Sequence, residues 1–315
     1  MPSSAEVAFV LGTGRCGSTL VHEIIARHPD VGFVSNLEDR FPFLPIRGRY
    51  NNDLYRRVPD RFTRKGRVRF APSEAYRLID RDVSPAISAP VRDLLAEDVT
   101  PWLERRFRTF FETRAAVQGH PTFLHKFTGW PRSGFVRRIF PEARFIHVIR
   151  DGRAVANSFL QMPWWQGYRG PGAWSWGPLS EADAKEWEAS GRSFAVLAGL
   201  QWKLLMDAFD TAKALVPEHQ WLEVRYEDFV AEPRAAMTSM LDHLGLEWTA
   251  AFEDGFRRYR FDAGRTDAYR SDLGIHDVAM LDASLAPALA RYGYLNPQKT
   301  TQAAARPRRR EGDQL

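Results

Sequence analysis

Val7-Ala8-Phe9-Val10-Leu11-Gly12-Thr13-Gly14-Arg15-Cys16-Gly17-Ser18-Thr19-Leu20-Val21 is the stretch from which the rest of the 315-residue chain is best read. Five apolar residues run without alternation into a glycine-rich turn, as in a strand buried on both faces. Leu20, Val21, Ile24 and Ile25 then form one apolar stripe at helical spacing, and the helix is expected to stop around His28-Pro29. The glycines therefore lie between a strand and a helix. The same unit recurs further on. Residues 144–150 (Arg-Phe-Ile-His-Val-Ile-Arg) read as a strand and 151–160 as the helix after it. Residues 221–226 read as another strand, followed beyond Pro233 by a helix with Met237, Met240, Leu241 and Leu244 on one face and Gly245 as its stop. Residues 122–127 form a further strand, feeding a helix near 133–140. Strands alternating with helices imply an α/β fold: a parallel sheet flanked by helices.

The composition, 44% hydrophobic and 26% charged, is that of a globular chain and excludes disordered, collagenous and coiled-coil classes. Residues 1–298 are expected to form one domain, with insertions near 41–119 and 162–190. Both insertions interrupt the alternation, the first rich in Arg, Pro and aromatics and the second in Gly, Pro and Trp, and such segments commonly form a lid or one wall of a site. Residues 299–315 read as a basic, disordered tail. That tail holds five basic and two acidic residues and so carries most of the formal charge of +5. The charge therefore gives no argument for a nucleic-acid partner, and deleting the tail should leave ligand binding unchanged. A single cysteine, Cys16, cannot form an internal disulfide and fits a reducing compartment. With no apolar run long enough for a signal peptide or a membrane span, a soluble, cytoplasmic protein is expected.

Gly12-x-x-x-x-Gly17 followed by Ser18-Thr19 has the spacing of a phosphate-binding loop. Glycines let backbone N–H groups turn inward, and the helix N-terminus adds partial positive charge. A nucleoside-triphosphatase loop requires Lys directly after the second Gly, then Ser or Thr for Mg²⁺. Here Ser18 stands at the Lys position and the nearest cation is Arg15. The bland alternative is a tight turn that merely permits close packing. Arg150 ends a strand at the same sheet edge, since parallel strands all finish there, and Ser158 lies about two turns down the next helix. Their bland alternatives are an Arg150–Asp151 pair and a surface serine.

Taken in order, these elements resemble sulfotransferases that use 3′-phosphoadenosine 5′-phosphosulfate (PAPS). Gly14, Arg15, Cys16, Gly17, Ser18 and Thr19 resemble the loop that binds the 5′-phosphosulfate, and Arg150 with Ser158 resembles the 3′-phosphate motif. Val224-Arg225-Tyr226-Glu227-Asp228 is similar to the family's Tyr-Glu-Asp segment, whose Tyr lies by the adenine. Arg291-Tyr292-Gly293-Tyr294 resembles a common ending. The nearest likeness is to tyrosylprotein sulfotransferases and bacterial relatives, which carry Arg in the first loop. In those enzymes a Glu after a His-Pro is the catalytic base. The resemblance points to Glu38 in Glu38-Asp39-Arg40, at a slightly longer spacing from His28-Pro29. Lys126 falls close to the family's active-site Lys, Thr266-Asp267 resembles its Ser-Asp near the sulfonate, and Arg270 lies near a basic residue that closes on the nucleotide. The resemblance implies a P-loop-like sulfotransferase fold and sulfuryl transfer from PAPS to a hydroxyl, giving 3′-phosphoadenosine 5′-phosphate (PAP) and a sulfate ester. It implies no metal, and leaves the acceptor as a small-molecule, sugar-containing or peptide hydroxyl.

The chemistry suits these residue types. In-line sulfuryl transfer builds negative charge on the leaving oxygen and the equatorial oxygens, which Arg15, Lys126 and the loop N–H groups would stabilise. A carboxylate within hydrogen-bond reach can take the acceptor proton; Glu38 is the candidate, against the alternative of a surface ion pair with Arg40. His125 is the rival base, and Asp39 a further alternative. On a strand His125 faces away from Lys126, and so reads as a hydrogen-bonded core residue. Cys16 sits where a thiol is activated but reads as a packing residue. The eight histidines show no metal-ligand spacing. Trp164, Trp165, Trp174 and Trp176 could stack on an acceptor or pack a lid. The rival functions are a Mg²⁺-dependent nucleotide kinase and a non-catalytic PAP-binding protein.

Overall fold

Alternate residues of the first strand enter different cores. Val7, Phe9 and Leu11 join one apolar cluster, Ala8 and Val10 the other, because successive side chains on a strand point to opposite faces. The computed structural model describes residues 5–43, 48–59, 62–63 and 70–295. Its elements run β1 (Glu6–Gly12), α1 (Ser18–Ile25), β2 (Val31–Gly32), α2 (Asn36–Arg40), α3 (Asn51–Arg57), α4 (Tyr76–Asp82), α5 (Pro85–Ser88), α6 (Pro101–Gln118) and β3 (Thr122–Thr128). They continue through α7 (Ser133–Ile139), β4 (Arg144–Ile149), α8 (Gly152–Leu160), α9 (Glu181–Ala189), α10 (Phe194–Leu215) and β5 (Trp221–Arg225). The remainder is helical: α11 (Tyr226–Ala231), α12 (Pro233–His243), α13 (Ala250–Phe256), α14 (Tyr269–Asp272) and α15 (Ile275–Arg291).

The strands pair in parallel in the order β2-β3-β1-β4-β5. Gly12 pairs with Thr128, Leu11 with His147 and Ile149 with Arg225, so the ends of β1, β3, β4 and β5 share one edge. In open parallel sheets that edge is where ligands bind. α1, α12 and α13 cover one face of the sheet; α6, α7, α8, α10 and α15 cover the other. The expected α/β architecture is therefore present, with strands close to the expected bounds.

Four differences have local causes. The first helix ends at Ile25, before His28-Pro29, because the Arg27 and His28 amides bond three residues back and tighten the chain ahead of Pro29. Tyr226 opens α11 instead of closing β5. Within the first inserted stretch, α6 is no lid: Phe107, Phe110, Phe111 and Ala115 are buried with Phe9 and Phe127 in one cluster. In the second stretch Trp165 and Trp174 are buried, their indole N–H groups donating to Gln201 Oε1 (3.0 Å) and the Gly177 carbonyl (2.6 Å). Packing, not stacking on a ligand, accounts for both. No helix among the described residues is long and apolar enough to cross a membrane, and the 299–315 tail lies outside the described residues.

Candidate active site

The turn after β1 passes through left-handed backbone at Gly14, Arg15 and Gly17 (φ 87°, 57° and 97°). A backbone of this kind turns successive N–H groups toward one concavity, and the first amides of α1 have no partner within their own helix. Bare glycine is required twice. A Cβ on Gly12 would lie 2.3 Å from Cys16 Sγ, and one on Gly17 would lie 2.3 Å from the Tyr226 ring. Cys16 is fully buried among Val10, Val21 and Ile24. Its thiol is a packing group, set against Gly12 and the apolar cluster. The Ser18 side chain is buried as well, whereas Thr19 is exposed.

Two guanidinium groups, those of Arg15 and Arg150, meet at this turn, and the charge of Arg265 lies close enough to act on Arg15. Arg15 Nε donates to Ser158 Oγ at 2.8 Å. Arg150 donates to the Arg15 carbonyl at 2.9 Å and to the Arg265 carbonyl at 3.1 Å, with its guanidinium 4.7 Å from the Tyr226 ring centroid. Burial lowers the Arg15 pKa, and the neighbouring charges of Arg150 and Arg265 lower it further. Arg150 Nε is buried and has no hydrogen-bond partner among the described residues. Asp151 does not neutralise Arg150; it is taken by Arg153 at 2.6 Å. Crowded cations with an orphaned buried donor fit an anion of high charge density. The structure thus brings together Arg15, Arg150, Ser158 and Tyr226, all expected, and adds Arg265, which no motif had singled out.

Thr266 and Arg270 follow Arg265 and so lie on the segment that Arg150 holds. Asp272, on the same short helix as Arg270, accepts from Asn157 of α8 at 2.9 Å and fastens that helix beside Ser158. Glu227 is occupied structurally: it accepts from the Asp151 amide at 3.1 Å and from Tyr294 Oη at 2.9 Å. The Tyr-Glu-Asp segment and the chain's Tyr-Gly-Tyr ending are thereby tied to the start of α8.

Lys126 is buried on β3 and donates to Thr19 Oγ1 at 2.8 Å, which places the ammonium against the end of the loop. Its counter-ion is a carboxylate that no motif had marked: Glu74 pairs directly with Lys126 and accepts from Thr128 Oγ1 at 2.8 Å. Burial pushes the Glu74 carboxyl upward, but the Lys126 charge and the donors of Lys126, Tyr76 and Thr128 hold it below its usual value. Glu38 is placed differently. It completes a capping box at the start of α2, where Oε2 accepts from Ser35 N (2.9 Å), Ser35 Oγ (3.0 Å) and Asn51 Nδ2. Its other oxygen lies 3.9 Å from Arg114 Nε of α6, beside a cavity of about 500 Å³ also lined by Leu78, Arg81, Phe110 and Arg114. His125 faces away from Lys126, as expected, amid Phe9, Phe111 and Phe127. Contrary to expectation it has no hydrogen-bond partner among the described residues, and burial brings its pKa down to about 3.

Among the described residues, no group of three or more His, Cys, Asp or Glu side chains could hold a metal ion. A family model described as the sulfotransferase family matches residues 8–250, and the chain belongs to that family. It is 25% identical over 320 residues to the omega-hydroxy-beta-dihydromenaquinone-9 sulfotransferases Stf3 of Mycobacterium bovis and Mycobacterium tuberculosis. That alignment covers 91% of this chain and 74% of the relative. Among solved structures, sulfotransferase STF9 of Mycobacterium avium superposes with a TM-score of 0.53 at 17% identity, covering 91% of this chain and 77% of that one. Sulfotransferase STF1 of Mycobacterium tuberculosis H37Rv gives 0.51 at 16% identity, over 90% and 77% of the two chains. The fold is therefore the P-loop-like fold of sulfotransferases, and the chemistry is sulfuryl transfer.

Proposed function

We propose that this sulfotransferase takes its sulfuryl group from PAPS and delivers it to an acceptor hydroxyl, releasing PAP and a sulfate ester. The observation that carries the reading is the meeting of Arg15 and Arg150 at a glycine turn, with the Arg265 charge near them and Tyr226 on the flank. A nucleotide bearing phosphate at both the 3′ and 5′ positions needs two anion subsites, and Arg150 and Ser158 supply the second beside the first. In this reading Gly14, Arg15, Cys16, Gly17, Ser18 and Thr19 hold the phosphosulfate, the loop and Cys16 through backbone N–H groups. Tyr226 offers its ring to the adenine, Thr266 stands near the sulfonate, and Arg270 closes on the nucleotide. Arg15 and Lys126 neutralise the charge that grows on the leaving oxygen as the S–O bond breaks. The Mg²⁺-dependent kinase reading is weaker, because Ser18 stands where such a loop needs its lysine.

The acceptor hydroxyl is supported by the mycobacterial relative, which is named for an omega-hydroxy compound. A buried single cysteine suits a reducing compartment and supports a cytoplasmic location. The catalytic unit in this reading is one domain spanning residues 1–298.

Thermal unfolding with PAP, with AMP, and with ATP plus Mg²⁺ tests the donor. PAP at about a hundred times its Kd should add roughly 2.7 kcal/mol to the stability of the wild type. Arg150→Ala should lose that increment while keeping its ligand-free melting temperature within a few degrees. A response to ATP with Mg²⁺ and none to PAP would replace this reading with the kinase.

A further inference from the structure

We propose that Glu74, not Glu38, accepts the proton of the attacking hydroxyl, and that Lys126 couples this carboxylate to the donor. The inference rests on the PAPS reading above and goes further by naming the residue that touches the reacting acceptor.

Three contacts carry it. Lys126 and Thr128 stand two residues apart on β3 and so share a face of the sheet. Glu74 binds both of them. Lys126 in turn donates to Thr19 at the end of the phosphate loop (2.8 Å). An unbroken chain of side chains thus runs from the loop to one carboxylate, with 21% of the Glu74 side chain left accessible to an acceptor. Glu38 meets none of these requirements. Three donors converge on one of its oxygens, and the cation it approaches belongs to α6. That helix packs on the sheet face that holds His125, the face opposite Lys126. Tyr76, the remaining donor to Glu74, is half-buried, and its pKa is pushed far above the usual value, first by desolvation and then by Glu74 itself. It therefore stays a neutral hydrogen-bond donor.

The charge balance makes the base conditional on the donor. With Lys126 paired to it, Glu74 is ionised and weakly basic. An arriving sulfonate competes for the Lys126 ammonium. As that counter-charge turns away, the burial of Glu74 favours its protonation. In the transfer step the acceptor oxygen forms a bond to sulfur and its proton passes to the Glu74 carboxylate. The bond from sulfur to the bridging oxygen breaks, and that electron pair leaves on the 5′-phosphate of PAP beside Arg15 and Lys126. Atoms and charge balance without a metal or a further reactant.

The test compares wild type, Glu74→Gln, Glu74→Asp and Glu38→Gln in two measurements. Calorimetric affinities for PAP and PAPS report whether Glu74 stands next to the transferred group, since PAP lacks the sulfonate. Glu74→Gln should bind PAP like the wild type and favour PAPS over PAP by about fivefold more, through loss of one like charge. Turnover is read as PAP release with 2-naphthol, dodecanol and water as acceptors. Glu74→Gln should lose about 10²–10⁴-fold in kcat with little change in the KM for PAPS, and its rate should lack the acid limb expected of the wild type. Glu74→Asp should recover a substantial part of that rate. An unchanged PAPS-to-PAP preference, or turnover in Glu74→Gln matching the wild type, overturns the assignment and leaves the donor reading intact. Failure of the wild type to bind PAP overturns both.

Discussion

At Gly17 the backbone lies in the left-handed region and the Tyr226 ring occupies the space where a Cβ would stand. Gly17→Ala therefore has to strain the turn and push the ring aside together. Conformational strain of this kind costs about 1–3 kcal/mol. Urea unfolding should show that loss, and PAP affinity should fall with it because Tyr226 also stacks under Arg150. A Gly17→Ala variant with wild-type stability and affinity would mean that the turn is not the nucleotide cradle. At this scale the positive site was legible. Arg15 and Arg150 sit at the ends of parallel strands, and strand ends meet at one edge whatever the rest of the fold does. Glu74 was not legible. It lies on an irregular segment, before α4 and outside any motif, and meets Lys126 only through tertiary packing.

Among the elements, α6 was the hardest to read. Its buried set mixes Phe107, Phe110, Phe111 and Ala115 with Arg114 and Gln118, so the apolar stripe is interrupted by polar residues that are themselves buried. Arg114 is held by the Phe110 carbonyl (3.0 Å) and Asp82, and Gln118 by the Phe33 carbonyl and amide, both at 3.0 Å. The ends of the helix carried clearer signals: Thr100 caps its start and Gly119 ends it in a left-handed conformation. Because Phe111 contacts Phe9, Phe123 and His125 on the sheet face, α6 is part of the core. Phe111→Ala should cost about 3–5 kcal/mol by denaturant unfolding. A loss below about 1 kcal/mol would contradict that placement and restore a lid.

Across the whole molecule, six histidines are kept neutral by the fold. His22, His28, His120, His125, His147 and His243 all have pKa values lowered, with burial as the leading cause in each. A histidine whose folded pKa is depressed binds its proton more readily in the unfolded chain. Stability is therefore complete above the unfolded value of about 6.5 and is lost as pH falls below it. His125, brought down to about 3, contributes a loss of about 2 kcal/mol between roughly pH 7.5 and pH 5. That figure depends only on the unfolded pKa so long as the folded one stays well below 5. In His125→Leu the difference in unfolding free energy between those two pH values should shrink by about the same amount. An unchanged difference would place His125 in contact with water or a hydrogen-bond partner.

Local physics was enough for the α/β alternation, the glycine turn and the convergence of Arg15 with Arg150. Each follows from the reach of a few neighbouring residues: a buried strand, a positive φ that favours glycine, a helix that begins where the turn ends. Tertiary packing alone decided which carboxylate faces Lys126, that Arg265 joins the cationic cluster, that α6 is a covering helix, and that Trp165 and Trp174 are packed away. These outcomes depend on polar and aromatic side chains far apart in the chain, whose meeting leaves no period or spacing for the sequence to display.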